Sequence, residues 1–386
     1  MSGTFGTVGF FVALIIVIVI HELAHFGVAK AFGIKVTEFF VGFGPRIWST
    51  RRGETEYGVK WILAGGYVKI AGMNPYESVD AQDVPRTFGA KPIWQRALVI
   101  VAGPGTHFVL AFVLFAAWIG FVGRWDDRSP LVYQVHQTLD GVESPAAAAG
   151  IRAGDRIVAV EGTEDPTHLE LVCTTRAHVG EPVTLTVLRG ERLLDAELTP
   201  ILGEIPKAYW DDCPGLRPVE GQVGLIGVTL AEARERGGLG SAITGGATLV
   251  WDSLVDSVQN LGRIFGPDGI GRLFELLFTE APREVTDPAS LVGIGQAAGQ
   301  TASGGNAGDL LFLIGFLNVL IGFLNLLPLP PFDGGHLTVL AIERVRGRAV
   351  DMRKVIPVAV TVAAFFIVLT VSFIYLDIVK PLPLGP

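Results

Sequence analysis

His21-Glu22-Leu23-Ala24-His25 sets two imidazoles four positions apart with a carboxylate beside them. On a helix, positions i and i+4 lie one turn apart on one face, so both rings can reach a single ion. Glu22 can then face a water on that ion and take its proton. This is the H-E-x-x-H arrangement that holds zinc, with the Glu as general base. The five residues close an otherwise apolar run containing FFVALIIVIVI. Ionisable side chains at membrane depth are costly and functional by default. A pair of neutral histidines bonded to carbonyls is the plainer reading, but it leaves Glu22 without a purpose.

A catalytic zinc takes three protein ligands and keeps one position open. The third ligand is sought near another apolar run, and the segment 325–336 reads Asn-Leu-Leu-Pro-Leu-Pro-Pro-Phe-Asp-Gly-Gly-His. Its prolines stop a regular helix, and irregular backbone at membrane depth is tolerated only inside protein or beside a water-filled cavity. Asp333, followed by two glycines, can swing its carboxylate toward the ion, and Asn325 can offer an amide donor. His336 is a rival third ligand. Asp333 is preferred because a carboxylate with two imidazoles is a common catalytic set.

Four runs are long and apolar enough to span a bilayer, at about 20 residues each: residues 5–32, 97–122, 310–327 and 355–376. Loop charge orients them. Residues 30–96 carry 10 basic and 6 acidic groups, and residues 338–354 carry 5 and 2. With four spans these loops share a side, the cytoplasm. Residues 124–306, with 14 basic and 26 acidic groups, then lie outside, as do both termini. The first run lacks a basic start and a cleavage site, so it reads as retained rather than as a signal peptide.

Composition agrees. Of 386 residues, 49% are hydrophobic and 18% charged, below the roughly 25% charged of an average soluble chain. A net charge of −8 gives no reason to expect nucleic acid as a partner. Cys173 and Cys213 are too few for a disulfide scaffold. They fall outside, where a disulfide is permitted, and the sequence does not show that they meet.

The HELAH run together with Asn325-Leu-Leu-Pro-Leu-Pro-Pro-Phe-Asp333-Gly-Gly-His resembles the site-2 protease family of intramembrane zinc metalloproteases, in its bacterial regulator-of-sigma-E protease branch. Further likeness covers nearly the whole chain: Val41-Gly-Phe-Gly-Pro45, Gly53-Glu-Thr-Glu-Tyr57, Gly65-Gly-Tyr-Val-Lys69, and Trp94-Gln-Arg-Ala97 running into Ala102-Gly-Pro104. The resemblance implies an α-helical polytopic membrane protein with about four transmembrane helices, a membrane-associated β-hairpin region and an inserted extracytoplasmic PDZ domain of α+β type. It implies one Zn2+ per chain bound by His21, His25 and Asp333, with Glu22 as catalytic base and Asn325 holding substrate or oxyanion. Many relatives carry Asn where this chain has His107. That histidine replaces a polar contact, approaches the metal, or is buried against a carbonyl.

In the outside segment, Ser144-Pro145 opens a short Ala helix, Gly150 closes it, and Gly154-Asp155 makes a turn. Ile157, Ala159 and the alternating run 183–190 read as strands. The pattern looks like a protease-associated PDZ domain at about 132–200. The expected layout is 1–32 first span with HExxH; 33–96 cytoplasmic hairpin region; 97–123 second span; 124–202 PDZ domain; 203–306 linker with amphipathic helices on the membrane surface, ending in a polar Gly-rich stretch at 300–308; 307–336 third span and Pro-rich motif; 337–354 cytoplasmic loop; 355–386 fourth span and tail. Val223–Val228 reads as a strand.

The expected function is cleavage of transmembrane segments in single-span membrane proteins, in a bacterial inner membrane. The partners are the lipid bilayer and membrane-anchored substrates such as anti-sigma factors, as the resemblance suggests. A substrate helix must unwind first, and the hairpin strand near Gly65, Gly66 and Tyr67 can pair with it as an edge. The rival readings are a catalytically silent membrane PDZ adaptor and a metal transporter.

Overall fold

In the computed structural model, which describes residues 2–74, 76–139, 141–204, 213, 222–284, 287–303 and 307–382, the first apolar run is one helix, α1 (Ser2–Ala31). It stops where Gly33 turns left-handed (φ +66°) and Ile34 N–H reaches back to the Ala29 carbonyl. The chain then forms two long strands, β1 (Val36–Arg52) and β2 (Thr55–Ile70). Both bend, so that residues 36–43 lie between two halves of β2: Phe40 pairs with both Gly58 and Tyr67. Residues 66–70 pair only with 36–41 and form an outer edge. Helix α2 (Ile93–Ala117) follows and continues through a π-turn over Trp118–Val122. The base of the hairpin, the ends of α1 and α2, and Leu340 share one apolar core that includes Ala29, Ile34, Val36, Ile70, Val99 and Ile100.

Residues Val122–Gly237 form a compact unit of their own. It holds β3 (Arg124–Val135), the two-residue strands β4 (Thr138–Leu139) and β5 (Val142–Glu143), α3 (Pro145–Ala148), β6 (Arg156–Val160), β7 (Thr163–Glu164), α4 (His168–Ala177), β8 (Val183–Arg189), β9 (Arg192–Leu198), β10 (Ile201–Glu204), β11 (Gln222–Leu225) and β12 (Val228–Glu235). The main sheet runs β12-β3-β6-β8-β9, with β7 on β6. Ser144 caps α3 through Ala147 N–H, and Gly150 behind it is left-handed (φ +72°). The sheet does not end at the expected boundary of 202. Strand β12 pairs antiparallel with β3, about a hundred residues earlier, and the expected strand 223–228 is split between β11 and β12 at left-handed Gly227. Cys173 on α4 and Cys213 are joined by a disulfide, with Cα atoms 5.4 Å apart.

The chain then returns to the first unit with α5 (Leu239–Phe265), α6 (Pro267–Phe278), α7 (Leu291–Ser303), α8 (Asp309–Asn325), α9 (Asp333–Arg346) and α10 (Ile356–Val379). Among the described residues three helices are long and apolar enough to cross a membrane: Gly3–Ala31, Ile93–Val122 and Met352–Val379. The expected third span is the shorter α8, 17 residues, about 26 Å. The expected amphipathic helices are α5, a single 27-residue helix packed along α2 and α8, and α6. Part of the expected Gly-rich linker is helix instead. Residues 300–303 belong to α7, whose Gly295, Ala298 and Gly299 let α1 approach closely at Phe10 and Thr7; 304–306 lie outside the described residues, as do most of 205–221. At the far end of α10, Asp377 is buried and accepts from Arg283 Nη1 at 2.6 Å and from the amides of Ser290 and Gly293.

Asp155 anchors the second unit. Its carboxylate is 1% exposed and takes two bonds from Arg189, Nε and Nη2 each at 2.7 Å, and a third from the Arg152 amide. The Arg189 guanidinium, chiefly, holds this carboxyl below the usual aspartate range. Its stabilisation is therefore complete above the unfolded value of about 3.9 and is lost as the pH falls through the lower folded value. Hydrogen exchange of β6 and β8 amides in the full chain, corrected for intrinsic rate, is expected to show protection that declines below about pH 4. Asp155→Asn is expected to lower protection at neutral pH and flatten that decline. A wild-type decline kept intact by Asp155→Asn would place the acid sensitivity elsewhere.

Candidate active site

His21 and His25 lie one turn apart on α1 and both point at α2. The facing residues of α2 are Val99, Gly103 and His107, also four apart and in reversed order. His25 Nδ1 stands 2.8 Å from the Val99 carbonyl oxygen. A carbonyl only accepts, so Nδ1 carries the hydrogen and Nε2 keeps a lone pair. His21 Nδ1 stands 3.0 Å from His107 Nε2. Gly103 lies between these contacts, and the helix has no room there for a side chain. A Cβ on it would stand 2.2 Å from His25 Nε2 and 2.7 Å from His21 Cε1.

Asp333 is the first residue of α9. The chain leaves α8 at Asn325, passes the prolines and folds back tightly. Gly334 and Gly335 serve this fold-back rather than a swinging loop: a Cβ on Gly334 would fall 2.3 Å from the carbonyl oxygens of Leu326 and Leu327, and one on Gly335 2.3 Å from Pro330 N. Both are already inside the helix. The turn sets Asp333 Oδ2 at 3.4 Å from His21 Nε2 and 3.3 Å from His25 Nε2, while the two Nε2 atoms are 3.1 Å apart. Ligands about 2.0–2.1 Å from a tetrahedral zinc stand about 3.3–3.4 Å from one another. The three atoms thus form a triangle of the size such an ion needs.

Glu22 is half-buried beside the triangle. The outer edge of β2 passes it: a Cβ on Gly66 would sit 3.1 Å from Glu22 Cγ and from the Phe40 carbonyl oxygen. Gly65 is covered by the Phe43 ring. The Tyr67 hydroxyl donates to Glu38 Oε2 at 2.5 Å, and its ring stacks on Phe40. Of the residues expected to pair with substrate, Gly66 and Tyr67 lie on the outer edge of β2 and Gly65 just before it.

Asn325 ends α8, half-buried, and its side chain makes no hydrogen bond among the described residues. His336 is outside the triangle and lines a cavity of about 410 Å³ with Arg96, Glu343 and Arg344. His107 is also outside it, and is buried against His21. Two participants, Val99 and Asn318, carry no motif in the sequence, and Gly103 lies in the Ala102-Gly-Pro104 stretch without a role that the stretch itself suggests. Val99 contributes a main-chain oxygen, Gly103 an absence of side chain, and Asn318 sits in the middle of an apolar run with its Oδ1 3.1 Å from His107 Nδ1. A polar residue inside such a run is the signal that could have pointed to Asn318.

The sequence profile of peptidase family M50 matches residues 9–370. The zinc metalloprotease Rip1 of Mycobacterium tuberculosis is 31% identical over 405 residues, covering 98% of each chain. Rip1 of Mycolicibacterium smegmatis is 31% identical over 410 residues, again 98% of each. Among solved structures, the PDZ domain of an SdrC-like protein from Listeria monocytogenes is similar at 24% identity, over 28% of this chain and 90% of that one, with a TM-score of 0.20.

The packing of Gly103 is directly testable. Gly103→Ala is expected to force the imidazoles apart, at about the 1–3 kcal/mol of an overpacked core, roughly 5- to 150-fold in zinc affinity. Gly105→Ala, whose Cβ would meet nothing within 4 Å, is expected to bind zinc as wild type does. Competition against a chromophoric chelator measures both. Equal affinities in the two variants would show that α2 does not confine the rings.

Proposed function

Since the chain belongs to peptidase family M50, the site-2 protease family, and is a zinc metalloprotease embedded in a membrane, we propose that it hydrolyses peptide bonds within transmembrane segments of single-span proteins, membrane-anchored anti-sigma factors among them. The observation that carries this reading is the triangle of His21 Nε2, His25 Nε2 and Asp333 Oδ2 beside Glu22. His21, His25 and Asp333 would hold the zinc, which would supply Lewis acidity for water activation and carbonyl polarisation. Glu22 takes the proton of the attacking water and delivers it to the leaving amide nitrogen. Asn325 Nδ2, without a hydrogen bond among the described residues, donates to the scissile carbonyl oxygen or to unwound substrate backbone.

The free edge at Gly65, Gly66 and Tyr67 receives the substrate as an added strand, so that its backbone, once unwound, is not left without partners in lipid. Basic loops at 30–96 and 338–354 support a cytoplasmic hairpin and a cut toward that side of a bacterial inner membrane. The unit Val122–Gly237, acidic and disulfide-bonded, then lies outside. It is read as the PDZ domain, acting on substrate choice because it supplies none of the proposed ligands.

Glu22→Gln is expected to slow cleavage by about 10²–10⁴-fold while zinc content and folding stay in place, since the amide keeps the shape but cannot accept the proton. Single-turnover cleavage of single-span proteins by purified enzyme is the measurement. Near-wild-type turnover would remove Glu22 as the base. Asn325→Ala is expected to slow the same step by up to about 10²–10³-fold with zinc retained. A joint fall in zinc content and melting temperature would instead make Asn325 a cap on the broken helix.

A further inference from the structure

His107 is 1% exposed, on a helix face otherwise committed to apolar packing, and is absent from the ligand triangle. Both of its ring nitrogens are engaged: Nε2 with His21 Nδ1 at 3.0 Å and Nδ1 with Asn318 Oδ1 at 3.1 Å. Asn318, also 1% exposed, donates its Nδ2 to the Ile314 carbonyl at 2.8 Å. These contacts leave one consistent set of hydrogens. The Asn318 amide points its Nδ2 at the Ile314 carbonyl, which fixes its oxygen toward His107. His107 must therefore donate from Nδ1, which leaves Nε2 with a lone pair. His21 must donate from Nδ1 into that lone pair, and its Nε2 lone pair is then turned to the triangle.

Tertiary packing places the relay. Gly322, one turn after Asn318 on α8, stands where a Cβ would be 2.9 Å from His107 Cβ. The close approach of α8 at that point brings Asn318 within reach of the ring. His25 reaches the same state through the Val99 carbonyl. The two histidines of α1 therefore meet acceptors of different kinds on α2, a main-chain oxygen for His25 and, for His21, a ring nitrogen that a third helix holds in place.

We propose that His107 and Asn318 are positioning residues of the metal centre: Asn318 fixes His107 as an acceptor, and His107 fixes His21 with its Nε2 lone pair toward the ion. This rests on His21, His25 and Asp333 being the ligands. Partners of this kind set the tautomer and direction of a metal-bound imidazole, and their loss costs about 10–100-fold in metal affinity.

The test is zinc affinity of the full-length protein, by competition with a chromophoric chelator, with the absorption spectrum of the Co2+-loaded form as a second readout of ligand geometry. His107→Leu and Asn318→Leu are expected to bind zinc about 10–100-fold more weakly, with an altered Co2+ spectrum. His107→Gln, whose amide keeps a donor toward Asn318 and an acceptor toward His21, is expected to stay within about threefold of wild type. A merely space-filling role gives the opposite ranking at position 107, because leucine suits a buried apolar site better than an amide does. Leucine variants that bind as wild type does, or a His107→Gln as damaged as His107→Leu, overturn the proposal. Should the leucine variants not fold, a tenfold loss in His107→Gln overturns it alone. Asp333→Ala separates the two levels. If it loses zinc while the leucine variants do not, only the positioning role fails; if it keeps zinc, the ligand set fails and the relay with it.

Discussion

Two imidazoles on one face of an apolar helix have no water to complete their hydrogen bonds. Each ring must find one acceptor inside the protein before its other nitrogen is free for an ion. That requirement organises the membrane unit. It is met by a single face of α2, where Val99, Gly103 and His107 repeat at the same four-residue interval as His21 and His25 and run the opposite way. The glycine sets how near the helices come, and its neighbours set which way the rings face. From there the demand passes outward. His107 needs Asn318, which requires α8 to lie close at Gly322. Asp333 reaches the triangle because the chain leaving α8 doubles back at once.

Polar groups elsewhere in this unit obey the same rule with different means. The hairpin sets residues 66–70 of β2 as an outer edge beside Glu22. At the far end of α10, Asp377 is satisfied three times over by Arg283 and two amides, so that helix is held at its terminus by polar bonds rather than by a buried apolar face.

Much of the site can be read from residue types alone, because HELAH and Asp-Gly-Gly state their chemistry within one or two helical turns. What could not be read lies across elements. Val99 acts through its carbonyl, which leaves no mark on residue identity. Asn318 acts through a histidine on another helix. Strand β12 belongs to a sheet whose partner strand lies about a hundred residues upstream, so local alternation could propose a strand but not its domain. Residues 300–303 look like the start of a Gly-rich linker in composition, yet they end α7, whose Gly295, Ala298 and Gly299 form the surface on which α1 packs. Glycine signals a turn in one setting and close helix contact in another, and only the neighbour decides. The pairing of Cys173 with Cys213 was likewise undecidable from spacing.

The distance along the chain between the ligands has a consequence for biogenesis. His21 and His25 precede Asp333 by about three hundred residues, with the whole unit Val122–Gly237 between them. At about 5–20 residues per second the nascent protein spends roughly 15–60 s with its two histidines inserted and their carboxylate partner not yet synthesised. An incomplete triad of this kind is poorly suited to hold the ion. With His21, His25 and Asp333 as the ligands, the site is complete only once the chain beyond Val122–Gly237 has been made, an order that a contiguous motif would not impose.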